Sequence, residues 1–201
     1  MNNNNNYGTY EQLNKDSSKI SCDEIFFQTK NLIFDFFIQL YTLINIPTYT
    51  EIIPNLYVGN ITAANNEEIM RDLNISTVIS VINEREVNNY FGIEYHKICV
   101  YDNLKKSEIN TFYNCLDYNV NLINDNIQND KKVFVHCYRG CQRSCSLVAA
   151  YLMKYQDMSY SDTIRYIKKK HKLAFLFFPH FRSALVKYEN DIKEKDVWYN
   201  L

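Results

Sequence analysis

Glycine and proline are scarce in this 201-residue sequence, which holds four of the first and three of the second. That excludes collagen-like and proline-rich chains. An excess of either charge is missing too: 22 basic residues face 23 acidic ones, for a net charge of −1. Binding to nucleic acid through overall charge is therefore not expected. The chain opens MNNNNNYG, without the basic and apolar regions of a secretory signal. No uncharged apolar run reaches the roughly 18 residues of a transmembrane helix. The nearest approach, 32–46, is shorter and carries Asp35. The six cysteines, at 22, 99, 115, 137, 141 and 145, form no CxxC pair. Neither a disulfide scaffold, a zinc site nor another cofactor is expected from them. The chain reads as a reduced, intracellular protein of the cytoplasm.

What is present suffices for a core: 46% hydrophobic and 15% aromatic residues, in a length suited to one domain. Residues 1–20 are Asn-rich and expected to be a disordered tail. Over 21–47, apolar groups at Ile25, Phe26, Ile33, Phe36, Phe37, Leu40 and Ile44 mark an amphipathic helix ending at Pro47. Three uses stay open for the 22–46 helix: packing on the main domain, a homodimer contact, or attachment to a membrane surface.

From residue 50 the pattern alternates. A strand broken near Pro54 is read over 51–58 and a short helix over 65–73. The apolar run TVISVI at 77–82 reads as a strand buried on both faces, followed by another over 95–101. Ser107 is read as an N-cap, and Ile109, Phe112, Leu116, Val120, Ile123 and Ile127 then step by threes and fours along a long amphipathic helix. Asp117 and Asp125 fall on its expected solvated face. KVFVH at 132–136 is the next buried strand, and 144–155 an apolar helix. Ser159-x-x-Asp162 resembles a capping box before a helix over 163–170, and 181–192 reads as the last helix, before a tail over 193–201. The fold class is α/β: a single domain over 50–192 with a central, mostly parallel twisted sheet flanked by helices, plus an N-terminal helical extension.

The chemistry concentrates in VFVHCYRGCQRSCSLVAAYLM, 133–153. A buried strand ends at His136, and the residues from Cys137 to Arg143 lead directly into a helix starting near Ser144. Such a turn can aim its backbone N–H groups inward, beside the positive end of the helix, and so cradle an anion. A thiol placed there beside a guanidinium favours its thiolate, a nucleophile for a bound phosphate. Arg143 can hold two phosphoryl oxygens in a fork. Gly140 permits positive φ or close backbone approach. Ser144 can donate to the thiolate, and His136 is read as an orienter of Cys137 rather than a base.

His136-Cys137-x-x-Gly140-x-x-Arg143-Ser144 resembles the HCxxGxxR[ST] signature of cysteine-based protein phosphatases. The flanks resemble the dual-specificity phosphatases in particular: IPNLYVG at 53–59, NISTVISVI at 74–82, VAAYLM at 148–153 and Leu185-x-x-Tyr188-Glu189. The resemblance spans roughly 50–190. It implies a protein phosphatase acting on phosphorylated protein substrates, with Cys137 as nucleophile and the turn residues Tyr138, Arg139, Gly140, Cys141, Gln142 and Arg143 binding phosphate. It also implies a general acid on the loop before the long helix, a place occupied by Asp102, 35 residues before Cys137. No metal is implied.

The sequence departs from the family in three places. Arg139 adds a cation to the turn, either as a surface arginine or as a reader of extra anionic charge, as in lipid or RNA-triphosphate phosphatases. Phe178 stands where the family often has an Asn supporting the turn, so support must come from elsewhere or the turn is looser. Cys141 and Cys145 flank the nucleophile, as packing residues or as partners for an oxidised Cys137. The basic run Lys168–Lys172 reads as the solvated end of a helix or as a surface for acidic substrates or membranes.

Overall fold

In a computed structural model the chain divides into two units, residues 1–45 and 46–201. The structure describes residues 29, 32–33, 47–83 and 85–199, and for 196–199 the backbone alone. The tail expected over 1–20 lies outside these residues, and so does most of the helix expected over 21–47; Thr29, Leu32 and Ile33 are helical.

The second unit is built on a five-stranded sheet: β1 (Tyr49–Ile53), β2 (Leu56–Asn60), β3 (Ile75–Val81), β4 (Glu94–Ile98) and β5 (Lys132–Cys137), in the order β1-β2-β5-β3-β4. Only the β1–β2 pair is antiparallel. The segment read as one broken strand is thus two strands folded back on each other. Pro54 and Asn55 form the turn, with Asn55 at φ 68°, a conformation asparagine tolerates.

β5 lies between β2 and β3, and from Val133 to Cys137 every residue is buried. Side chains alternate across its plane, as strand geometry requires. Val133, Val135 and Cys137 join the larger core, while Phe134 joins a smaller one with Tyr57, Met70 and Val78. The smaller core is closed by two short helices, α1 (Ile61–Ala64) and α2 (Glu67–Asp72), where one helix was expected. Asparagine caps separate them: Asn60 Oδ1 accepts from Ala63 N at 2.9 Å and Asn66 Oδ1 from Ile69 N at 3.0 Å.

The larger core is covered by α3 (Lys106–Gln128), α4 (Arg143–Tyr155), α5 (Tyr160–Lys170) and α6 (Arg182–Tyr199). α3 buries Phe112, Leu116, Val120 and Ile123, the stripe its spacing predicts. Its N-cap, however, is Lys105 without a side-chain bond, and Ser107 lies inside the first turn. Asp117 is not merely solvated. It takes Lys154 Nζ at 2.7 Å and Tyr188 Oη at 3.0 Å, joining α3 to α4 and α6. α5 begins earlier than its apolar pattern implies, because Ser159 Oγ caps it by accepting from Asp162 N at 3.2 Å. α6 runs on to Tyr199, past the end expected at 192. α4 is buried from Arg143 to Met153. A helix enclosed all round is the rigid axis of such a domain, and its first turn is fixed against the end of β5. Among the described residues, no helix is long and apolar enough to cross a membrane.

Candidate active site

β5 delivers Cys137 to the C-terminal edge of the parallel strands, where open α/β sheets bind ligands. The register sets Asn60 opposite Cys137, with Gly59 and Ser80 on either side of His136. The chain turns through 138–142 and enters α4 at Arg143.

The carbonyls of this turn are all held by hydrogen bonds. Tyr138 O accepts from Ile61 N at 3.3 Å, Cys141 O from Phe175 N at 2.8 Å and Gln142 O from Ser146 N at 2.8 Å. Arg139 O accepts from Cys141 Sγ at 3.2 Å. Gly140 O accepts from Cys145 Sγ at 3.2 Å and from His171 Nε2 at 3.0 Å. In a trans peptide the N–H points away from the preceding C=O. Carbonyls drawn toward the surrounding protein therefore turn the N–H groups of 139–143 to the opposite side, as a concave array suited to an anion. Gly140 makes the curl possible: its φ is 73°, and a Cβ there would lie 2.8 Å from the Gly59 carbonyl carbon and oxygen.

Cys137 is 2% exposed, and its Sγ accepts from Ser144 Oγ at 3.3 Å. His136 is fully buried, with Nδ1 3.4 Å from its neighbour's carbonyl, Cys137 O, and Nε2 2.7 Å from Ser80 Oγ. A carbonyl only accepts, so Nδ1 carries the proton and Nε2 accepts from Ser80. Burial pushes the His136 pKa down to about 4, against the Cys137 carbonyl bond and with the Arg143 charge. Both ring nitrogens are thus engaged, which holds the imidazole in one orientation and leaves neither free to act as a base. His171 follows the same logic: Nε2 donates to Gly140 O, Nδ1 accepts from Thr50 Oγ1 at 2.9 Å, and burial lowers its pKa.

These two rings set an acid limit on stability. The unfolded chain protonates them near pH 6.5, while the folded His136 resists until about 4. Between those values the unfolded state binds more protons, so stability falls as pH falls. From His136 alone the loss at pH 5 is about 2 kcal/mol, and His171 adds to it. Unfolding free energies from urea titrations at pH 7.5 and pH 5.0 are expected to differ by that much or more, with the midpoint lower at pH 5.0. Equal midpoints would mean that the folded rings take up protons freely.

Arg143 is 5% exposed, and its Nη1 donates to Val100 O at 3.0 Å. That bond fixes the loop after β4 against the turn, and Asp102 stands two residues farther along it. Asp102 Oδ1 is 2.5 Å from His180 Nδ1. Its charge is felt within the turn: the Cys141 thiol is pushed up by burial, then by Cys137, with Arg139 opposing and Asp102 adding. The structure thus brings Asp102, His136, Cys137, Gly140, Arg143 and Ser144 together.

The side chains of the other turn residues have partners of their own. The Gln142 side chain turns away from the cradle: its Nε2 donates to Leu176 O at 3.2 Å and Phe178 O at 3.1 Å, and its Oε1 accepts from His180 N at 3.1 Å. This replaces the support missing at Phe178. A side-chain amide of the turn grips the 176–180 backbone, and His171 and Phe175 N brace the turn from the residues just before it. Cys141 and Cys145 donate to turn carbonyls, with both thiols pushed up by burial. The half-buried Tyr138 ring lies under two guanidinium groups, Arg85 at 5.2 Å and Arg139 at 6.0 Å. Of the basic run, Lys168, Lys169, Lys170 and Lys172 are exposed while His171 is buried. Ser80, Arg85, His171 and His180 had no local signal in the sequence.

Comparison with known proteins gives one family. The family described as "Dual specificity phosphatase, catalytic domain" matches residues 56–191. The 123R protein of Invertebrate iridescent virus 6, named for a tyrosine phosphatase, is 36% identical over 126 residues, covering 63% of this chain and 82% of that protein. Dual specificity protein phosphatase 1B of Arabidopsis thaliana is 29% identical over 144 residues, covering 72% and 83%. The crystal structure of human DUSP28 superposes with a TM-score of 0.66 at 21% identity, covering 73% of this chain and 96% of that one, a likeness of fold. The chain belongs to the dual-specificity phosphatase family and carries its protein phosphatase catalytic domain.

Proposed function

We propose that this phosphatase hydrolyses phosphotyrosine and phosphoserine or phosphothreonine in proteins through a phosphocysteine on Cys137. The observation that carries the reading is the turn itself, whose carbonyls are all engaged behind it while Ser144 Oγ sits 3.3 Å from the sulfur. The N–H array of 139–143 and the Arg143 guanidinium would hold the phosphoryl oxygens. The Cys137 thiolate attacks phosphorus, the bond to the side-chain oxygen breaks, and Asp102 gives that oxygen its proton. Water then attacks the phosphocysteine and yields its proton to the Asp102 carboxylate. The P–S bond breaks, inorganic phosphate leaves, and the returning thiolate takes the Ser144 hydrogen bond.

One observation favours a second substrate class. The Arg85 and Arg139 guanidinium groups on the Tyr138 ring place positive charge at the turn, which suits a more highly charged phosphate such as a phosphoinositide. Phosphate release by the full chain, with reductant and EDTA, would be followed on three substrates: a phosphotyrosine peptide, a phosphothreonine peptide, and vesicles containing a phosphoinositide. Release from both peptides at comparable rates is expected. Release from the vesicles alone would move the assignment to the lipid, and binding without release would make the chain a phosphate reader.

A further inference from the structure

We propose that His180 is the positioning residue of the general acid, fixing the Asp102 carboxyl and tying its placement to the phosphate-binding turn. The inference rests on the reading of Asp102 as that acid.

Asp102 lies outside regular structure, between β4 and α3, in a stretch where Leu104 stands at φ 63°. A carboxyl so placed has several rotamers open to it, yet proton transfer needs one oxygen within hydrogen-bond reach of the reacting oxygen. His180 supplies the constraint. Its Nδ1 is 2.5 Å from Asp102 Oδ1, and the side chains are 9% and 22% exposed. The imidazole is held in turn: the Phe178 ring lies 5.2 Å away, tilted by 54°, and the His180 backbone N–H donates to Gln142 Oε1 at 3.1 Å. Gln142 belongs to the turn and also grips the carbonyls of Leu176 and Phe178. An unbroken path therefore runs from the turn through Gln142, the 176–180 backbone and the His180 ring to the Asp102 carboxyl.

One tautomer serves both half-reactions. With Nδ1 protonated, His180 donates to Oδ1 while Oδ2 carries the proton destined for the leaving oxygen. After that transfer the same N–H donates to the carboxylate, which then accepts a proton from water. The histidine keeps its partner in both steps, and the second oxygen is left for the proton in transit.

A merely structural histidine and a positioning one differ in how their loss depends on the leaving group. Protonation matters little for a good leaving group and much for a poor one. The test is kcat/KM on a series of aryl phosphates running from 4-nitrophenyl to phenyl, for wild type, His180→Ala, His180→Asn and Asp102→Ala. Asn carries an amide N–H near the Nδ1 position. His180→Ala is expected to lose on the order of tenfold more on phenyl phosphate than on the 4-nitrophenyl ester, and His180→Asn to restore most of that difference. Should the alanine variant fail to fold, His180→Gln carries its amide one bond too far and is expected to lose as alanine does. A uniform loss across the series, or no recovery with Asn, overturns the proposal while leaving Asp102 as the acid. If Asp102→Ala itself shows no steeper dependence than wild type, the general-acid reading fails and the proposal falls with it.

Discussion

Cys137→Ser is expected to abolish turnover of aryl phosphates and phosphopeptides, by on the order of 10⁵-fold in kcat. The substitution exchanges one atom in a site that is 2% exposed, and the hydroxyl can keep the hydrogen bond from Ser144. The backbone pairing of β5 with β2 and β3 does not involve the sulfur. The urea midpoint should therefore move by less than about 1 kcal/mol equivalent. What changes is nucleophilicity: a serine hydroxyl stays protonated where a thiol can ionise, and His136 cannot serve as its base, because it spends both ring nitrogens on Ser80 and on the Cys137 carbonyl. The N–H array of 139–143 and Arg143 remain, so a phosphopeptide should still bind. Calorimetry of the variant with a phosphotyrosine peptide would then report an affinity near the wild-type value, with no phosphate released. Turnover within tenfold of wild type would remove Cys137 as the nucleophile.

Much of this site could be read from the sequence because its parts are neighbours there. His136, Cys137, Gly140, Arg143 and Ser144 lie within nine positions, and a buried strand before them and an apolar helix after them fix their geometry. The sheet was legible for a similar reason, since continuous apolar runs separated by helical periods leave few topologies. The turn at Pro54–Asn55 was misjudged as a break within one strand because a Pro-Asn pair serves either purpose. The two-helix passage at 61–72 was hidden because asparagine is frequent in this sequence and its caps do not stand out. His171 and His180 could not be found at all. Each acts on a residue distant in sequence, Thr50 and Gly140 for the first and Asp102 for the second. A single histidine near an aromatic stretch carries no spacing that points to such partners. The missing asparagine at Phe178 left open what braces the turn, and the Gln142 side chain does so through the backbone of residues 176, 178 and 180, contacts that no local pattern in the sequence announces.

Arg143→Lys is expected to cost on the order of 10²–10³-fold in kcat/KM although the charge is kept. The guanidinium has two tasks at once. Nη1 holds the Val100 carbonyl at 3.0 Å, and so sets the start of the loop that carries Asp102. The same planar group would face the phosphoryl oxygens, where a fork of two N–H donors matches two oxygens and a single ammonium matches one. Lysine can serve one of these ends, not both, and its stem lacks the rigidity that keeps the donors in one plane. If it turns to the phosphate, the Val100 carbonyl loses its buried partner, which costs about 1–3 kcal/mol of stability. If it stays on Val100, stability is kept and phosphate affinity falls. Stability and vanadate affinity, measured together, distinguish these outcomes, and activity is expected to fall in both. A lysine variant within threefold of wild type on an aryl phosphate would show that one point charge suffices, and the fork would lose its place in the mechanism. The coupling to Asp102 adds a further expectation. Because Val100 precedes the general acid by two residues, the loss should be larger on phenyl phosphate than on 4-nitrophenyl phosphate whenever the ammonium abandons Val100. The arginine would then be working on both sides of the breaking bond, through the phosphoryl group on one side and through the position of the acid on the other.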